Sequence, residues 1–365
     1  MKTVDQVPEY IRSLIPYEPG KPIEEVEREY GIANSVKLAS NENPLGPSPK
    51  ALAALRAKLD QLHLYPDGDC FYLKNGLAKK LGVAPDELIF GNGSNEIIEL
   101  AARTFLCAGD EAVMAEQAFV VYQLIVQAVG GTSKQVPLSD YTHDLGAIAD
   151  AVSPRTRMVF LANPNNPTGT IFRRAEWEKF LAKVSPDVLL IVDEAYFEYV
   201  EDFDYPDSLK YHEPGRALLT LRTFSKLYGL AGLRVGYGIA PVELIAMMQR
   251  VRQPFNVNAA AQWAALAALG DGDHVERSLT VNRQGRDFLQ GEFKRLGLEF
   301  VPSHGNFVLV RVGKGQEIFK QLLSQGVIVR PMGGYRFPNH IRVTVGTMAE
   351  NRQFIEALQK VIQNS

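Results

Sequence analysis

The chain has 365 residues, 46% hydrophobic and 22% charged, with a formal net charge of −3, the composition of a globular protein with room for about two domains of roughly 150 residues each. The small acidic excess argues against an extended nucleic-acid or membrane-surface footprint, and the two scattered cysteines, Cys70 and Cys107, make neither a metal-type spacing nor a disulfide framework. Asp5, Pro8 and Glu9 stand where a signal peptide would be apolar, and Gln262 interrupts the most apolar helical window, so the expectation is a cytoplasmic protein with no membrane span and no metal.

In chain order, residues 1–45 read as an irregular N-terminal arm, punctuated by Pro8, Pro16, Pro19, Pro22 and Pro44. Over 46–255, apolar strand-like runs alternate with helical patterns, as expected of a large α/β domain. Strands are expected at Glu111–Ala115, 158–162, 188–192, 218–221 and 235–239. Several are apolar at consecutive positions, the pattern of strands covered on both faces, so a mostly parallel central sheet sandwiched by helices is expected. The helix expected at 95–106 puts Ile97, Ile98, Ala101 and Phe105 on one face. Residues 256–365 read as a smaller α+β domain. It has helices at 258–269, 283–295 and 316–325 and strands at 306–312, 327–330 and 341–345. Its last helix opens on the capping box Thr347-Met-Ala-Glu350 and buries Phe354, Leu358 and Val361.

Four stretches carry chemistry. Gly91-Asn-Gly-Ser-Asn-Glu96 is a glycine-rich turn at a helix start, where free amides and the helix dipole hold a phosphate. An ordinary helix entry has the same look, and a dinucleotide site would want a third glycine where Glu96 stands. Asn163-Pro-Asn-Asn-Pro-Thr-Gly169 is a rigid turn after a strand and can present Asn166 at the sheet edge. Asp193-Glu-Ala-Tyr196 ends an apolar strand on a carboxylate, which needs a cationic or donor partner: a protonated ring nitrogen, or a structural arginine. Thr223-Phe-Ser-Lys226, with Arg234 eight residues on, ends another apolar strand on a lysine. A lysine delivered there escapes the cost of desolvation by condensing with an aldehyde to a Schiff base. Three of the four follow strand carboxyl ends, where open α/β sheets bind ligands. Further along, Arg342 on the alternating strand 341–345 points opposite its apolar neighbours, toward solvent or toward a ligand.

In this order and spacing, the four pieces resemble the fold-type I, class II pyridoxal-phosphate-dependent aminotransferases, most closely the histidinol-phosphate aminotransferases. The likeness runs over nearly the whole chain. It includes Ser40-Asn-Glu-Asn-Pro-Leu-Gly46, Tyr65-Pro-Asp-Gly68, Val251-Arg-Gln-Pro-Phe-Asn256, Gly305-Asn-Phe307, Gly326-Val-Ile-Val-Arg330 and Ile341-Arg-Val-Thr-Val-Gly346. The resemblance implies pyridoxal 5'-phosphate as cofactor, with Lys226 as its Schiff-base lysine and proton shuttle. Asp193 would pair with the pyridine nitrogen, and Asn166 and Tyr196 would hydrogen-bond the ring hydroxyl oxygen. Gly93, Ser94, Thr223, Ser225 and Arg234 would hold the phosphate. Tyr65 would reach that phosphate from the partner subunit of an obligate homodimer. Phe119 would stack on the pyridine where many relatives have a tyrosine after a proline; here Gln117-Ala118 precedes it. Tyr17, Asn43, Arg330 and Arg342 would bind substrate, with the arm as a lid.

The implied reaction is amino transfer from L-histidinol phosphate to 2-oxoglutarate, giving imidazole acetol phosphate and L-glutamate, a step of histidine biosynthesis. An aromatic amino-acid aminotransferase and a threonine-phosphate decarboxylase share the scaffold and stay open. A pyridoxal-phosphate sensor that regulates DNA binding would need a DNA-reading module, for which the arm is too short and too proline-rich. A nicotinamide dehydrogenase would give Lys226 no role.

Overall fold

A computed structural model describes residues 2–17 and 20–363; Pro19 of the arm lies outside the described residues, as do Met1, Glu18, Asn364 and Ser365. The arm departs from the irregular coil expected of it. Lys2–Asp5, Glu9–Arg12 and Ile23–Tyr30 are helical, and Val36–Lys37 (β1) is a strand. Pro8 and Pro22 are the N-caps of the second and third helices, just ahead of the first turn, so neither removes an intrahelical hydrogen bond.

The main sheet is built from Leu88–Gly91 (β2), Glu111–Ala115 (β3), Thr132–Val136 (β4), Thr156–Ala162 (β5), Leu189–Asp193 (β6), Leu218–Thr223 (β7) and Gly236–Ile239 (β8). Its order is β2-β8-β7-β6-β5-β3-β4. From β7 through β4 every neighbouring pair is parallel, whereas β8 runs antiparallel to both β7 and β2. The sequence grouped residues 235–239 with the parallel strands. The reversal follows from the β7–β8 connection, which holds only the short 3-10 turn Ala231–Leu233 and no crossover helix to carry the chain back. Two strands escaped the search for apolar runs. β4 is polar until Val136 and lies at the sheet edge, and β2 has only four residues. Along β6 every residue is buried, with Leu190 and Ile191 at 0% exposure. Each such side chain stabilises the fold by about 1.5–3 kcal/mol, so the informative departure is the carboxylate that ends this strand.

A second core gathers around Phe300–Val301 (β9), Phe307–Arg311 (β10), Val327–Ile328 (β11), Arg330–Pro331 (β12) and His340–Thr344 (β13). The antiparallel order is β12-β13-β10-β9, while β11 pairs in parallel with β1 of the arm. The single strand expected at 327–330 is therefore split between two sheets. Pro331 lacks a donor, which suits β12 to the edge it occupies. The helix expected at 283–295 starts at Gly272, where Asp271 accepts a hydrogen bond from the His274 amide. Its early buried face carries His274, Ser278 and Asn282, so apolar periodicity is silent there. The capping box holds: the Thr347 amide donates to Glu350 (2.7 Å), and the Glu350 amide to Thr347 Oγ1 (3.3 Å). Among the described residues no helix is long and apolar enough to cross a membrane, and no His, Cys, Asp or Glu group is arranged for a metal ion.

Candidate active site

The carboxyl ends of β5, β6 and β7, the start of helix Ser94–Phe105, the arm and β13 enclose one cavity. It gathers Gly93, Ser94, Phe119, Asn166, Asp193, Tyr196, Thr223, Ser225, Lys226 and Arg234 with Tyr17, Arg330 and Arg342.

Asp193 ends β6 at 6% exposure. Its carboxylate accepts from the Tyr122 hydroxyl (2.7 Å) and the Ala195 amide (3.1 Å) and makes no ion pair among the described residues. Burial lifts its pKa above the ordinary carboxylate range, against the two hydrogen bonds that favour the charged form. The structural arginine that Asp193 could have needed belongs to its neighbour instead. Arg222 on β7 pairs with Glu194 (2.8 Å) and Asp207 (2.8 Å), and its guanidinium lies 3.5 Å from the centre of the Phe197 ring. Asp193 is thus left with a charge aimed at the cavity, the environment a protonated ring nitrogen requires.

The other end of the cavity is a phosphate cradle. Gly93 (φ 77°) turns the chain into the helix that starts at Ser94, and a Cβ there would sit 2.6 Å from Arg234 Nη2. The position therefore needs glycine twice over, for its dihedral and for the approach of the guanidinium. The Ser225 amide donates to Thr223 Oγ1 (3.1 Å), which folds the turn after β7 so that both hydroxyls reach the cavity lining. Amides at a helix start, two hydroxyls and an exposed arginine are the donor set for a phosphate dianion. The turn after β5 is held from below. Asn165 donates to Gln117 O (3.0 Å) and Thr168 Oγ1 (2.9 Å), and Gly169 (φ 78°) passes so close to Ser303 that a Cβ would meet its Oγ at 2.2 Å. Asn166 is thereby presented to the cavity.

Lys226 Nζ donates to Ser40 O (3.1 Å). Burial first, and Arg342 second, lower its pKa to about 8, against Glu42 and Asp193. That leaves about a tenth of the amine neutral at pH 7, far more than an ordinary lysine offers, and the neutral form is what an amine nucleophile needs. Arg342 is 6% exposed and forms no ion pair among the described residues. It donates to Asn166 Oδ1 (2.5 Å) and Ala39 O (2.7 Å), while its Nε is buried without a partner. Burial lowers its pKa. A guanidinium so desolvated gains most from an incoming anion. Arg330 lies 5.5 Å from the Tyr17 ring centre and extends the same cationic wall.

Phe119 lines the cavity and meets Tyr122 edge-on, with ring centres 5.6 Å apart. Two expected residues lie off the lining. Asn43 spends its amide on Leu227 O (2.6 Å) and Ser278 Oγ (2.9 Å), so it ties the arm to the large helix instead of facing a substrate. Tyr65 is 84% exposed and stacks on Phe255 at 4.9 Å, away from this chain's own cavity. Sequence reasoning missed Tyr122, Asn41 and Tyr335, which the structure adds to the lining. Asn41 stood inside the quoted 40–46 stretch; Tyr122 and Tyr335 had no local signal.

The donor set fits pyridoxal phosphate at three points: a buried carboxylate without a cation, an anion cradle that admits only glycine, and a lysine of lowered pKa. Against known proteins, the family model for aminotransferase class I and II matches residues 33–358. The chain is 51% identical over 362 residues to a histidinol-phosphate aminotransferase of Moorella thermoacetica, covering 99% of this chain and 94% of that one. It is 51% identical over 355 residues to histidinol-phosphate aminotransferase 2 of Pseudomonas fluorescens, covering 96% of each. It superposes on the crystal structure of histidinol-phosphate aminotransferase from Sinorhizobium meliloti in complex with pyridoxal-5'-phosphate with a TM-score of 0.91, 29% identity and 98% coverage of both chains.

Proposed function

The chain belongs to the class I and II aminotransferases, and from that membership we propose that it is a pyridoxal-phosphate enzyme that moves the amino group of L-histidinol phosphate to 2-oxoglutarate in histidine biosynthesis. Its fold is the type I fold of these transferases. One observation carries the substrate reading. Among the described charged residues lining the cavity, Lys226, Arg234, Arg330 and Arg342 are cationic and Asp193 is anionic. With Arg234 given to the cofactor phosphate, Arg342, whose Nε is buried without a partner, is the guanidinium for a second anion, and Arg330 on the same wall adds the second positive charge that suits a phosphate dianion.

When bound, pyridoxal phosphate supplies an aldehyde for the amino group and a protonated ring that draws electrons from the Cα–H bond. The residues of the chain do the rest. Lys226 Nζ, neutral in part at pH 7, would hold the cofactor aldehyde and would serve as the base and acid for the Cα proton. Asp193 holds a proton at the ring nitrogen. Asn166 and Tyr196 would hydrogen-bond the ring hydroxyl oxygen, Phe119 would pack on the ring, and the Gly93–Ser94 turn with Thr223, Ser225 and Arg234 would bind the phosphate. Arg342 and Arg330 orient the donor and then the 2-oxo acid, and Tyr17 brings the arm over the cavity to exclude water. We further propose that the arm (1–45), the large domain (46–255) and the small domain (256–365) are the bodies that close over substrate. In a cytoplasmic homodimer, the exposed Tyr65 would reach the partner's phosphate site.

The test mixes the yellow holoenzyme with histidinol phosphate and, separately, with phenylalanine, and follows conversion of the cofactor to its amine form. Faster conversion with histidinol phosphate is expected. Arg330→Ala should slow that donor by about tenfold or more, the loss of one charge-assisted contact, and affect glutamate less. Faster conversion with phenylalanine would make the protein an aromatic amino-acid aminotransferase, and release of carbon dioxide from threonine phosphate would make it a decarboxylase.

A pH dependence follows from Lys226. Only the neutral amine attacks an aldehyde, so capture of pyridoxal phosphate by the cofactor-free protein should speed up about tenfold per pH unit and level off near pH 8. An ordinary lysine would keep gaining to beyond pH 10. The rise of yellow absorbance after mixing measures it.

A further inference from the structure

Asn41 lies on the cavity wall with its backbone in the left-handed region (φ 55°) and 1% exposure. Its side-chain Nδ2 is 2.8 Å from the Tyr196 hydroxyl. The polarity of that contact is set by the surrounding bonds. The Asn41 backbone N–H can only donate, and it gives to Thr344 Oγ1 at 2.9 Å. The Thr344 hydroxyl still has its own proton to give, and among the described residues that proton goes to Asn41 Oδ1 at 3.1 Å. Oδ1 is thereby the accepting end of the amide, and Nδ2 has only hydrogens to offer. Asn306 donates to Asn41 O at 3.0 Å, which pins the backbone of the same residue. The Tyr196 oxygen must therefore accept, and among the described residues no protein acceptor receives the tyrosine's own proton. That proton is left to point into the cavity that both residues line.

We infer that Asn41 is a positioning residue of the transamination, acting through Tyr196 by fixing its hydroxyl as a donor toward the ring hydroxyl oxygen of the cofactor. The inference rests on the proposed pyridoxal-phosphate reading. Its consequence is electronic. In the holoenzyme, the nitrogen linked to Lys226 would share its proton with the neighbouring ring oxygen. A donor on that oxygen competes for the same electrons and lowers the pKa of the yellow chromophore. Hydrogen bonds of this kind also favour the ionised ring oxygen.

The experiment titrates the absorbance of the holoenzyme with pH, a readout separate from turnover. Four proteins are compared first: wild type, Asn41→Gly, Tyr196→Phe and the double variant. Glycine is chosen because it keeps the positive φ while deleting the amide. Asn41→Gly should raise the chromophore pKa, by up to about one unit, in the direction of Tyr196→Phe and by less. The double variant should match Tyr196→Phe alone, since the amide has nothing left to orient. Asn41→Asp gives a second arm, because aspartate also tolerates a positive φ and reverses the polarity by accepting the tyrosine proton. Its shift should exceed the shift the same substitution gives in the Tyr196→Phe background, which reports the added charge alone. An unchanged pKa in Asn41→Gly, or equal shifts with and without the Tyr196 hydroxyl, overturns the inference. A wild-type protein with no pH-dependent yellow band overturns the cofactor reading itself, which the variants alone cannot do.

Discussion

Replacing Lys226 with alanine is expected to abolish amino transfer and leave a folded protein. Loss of a positioned proton shuttle alone costs about 10²–10⁴-fold, and the covalent hold on the cofactor goes with it. The fold should tolerate the change, since among the described residues the lysine side chain makes one hydrogen bond, to Ser40 O, and its ammonium is penalised by burial. Two measurements check this. The single-turnover rate of cofactor conversion should fall below detection. Borohydride treatment of the wild-type holoenzyme followed by peptide mapping should label the Lys226 peptide, with no label in the variant. A variant that turns over at the wild-type rate, or a label on another lysine, would end the proposed mechanism.

The second large effect is expected at Asp193→Asn. The two bonds use different oxygens, Oδ2 for the Tyr122 hydroxyl and Oδ1 for the Ala195 amide, so the asparagine oxygen keeps the Ala195 amide while its NH2 donates to the Tyr122 oxygen; shape is conserved and the charge is lost. A carboxylate beside a ring nitrogen raises its pKa by about 1–3 units, so the chemical step should slow by about 10–10³-fold. The cofactor-free protein should respond in the opposite sense. Burial raises the folded pKa of Asp193 above its unfolded value. Between those values the native state binds more protons than the unfolded one, so this group's contribution to stability falls as pH rises through that window. The neutral amide escapes that loss. Thermal unfolding of cofactor-free Asp193→Asn at pH 7 should therefore give a melting temperature at or above wild type. A marked drop in melting temperature would make Asp193 a structural residue, and an unchanged rate of cofactor conversion would remove it from the ring nitrogen.

The cavity residues were legible in the sequence where they broke a local pattern. Asp193 and Lys226 each stand at or just past the end of an apolar strand, where a charge is costly, and Gly93 and Gly169 mark turns that close contacts reserve for glycine. Strand polarity was less legible, because consecutive apolar residues report burial on both faces and say nothing of direction. β8 therefore looked like its parallel neighbours, and the polar edge strand β4 left no trace. The arm misled for a related reason, since proline breaks a helix inside but not at its first turn.

The sequence by itself determined which charged and polar groups stand at the strand ends and tight turns of the cavity, because those positions are set by neighbours a few residues away. Tertiary structure alone decided how those groups are held. Tyr122 reaches Asp193 from 71 residues away, and Asn41 meets Thr344 across 303. The orphaned Nε of Arg342 and its two hydrogen bonds exist only once the arm, β5 and β13 converge. Hydrogen-bond polarity and desolvation depend on which surfaces the fold brings together, and no local spacing encodes that.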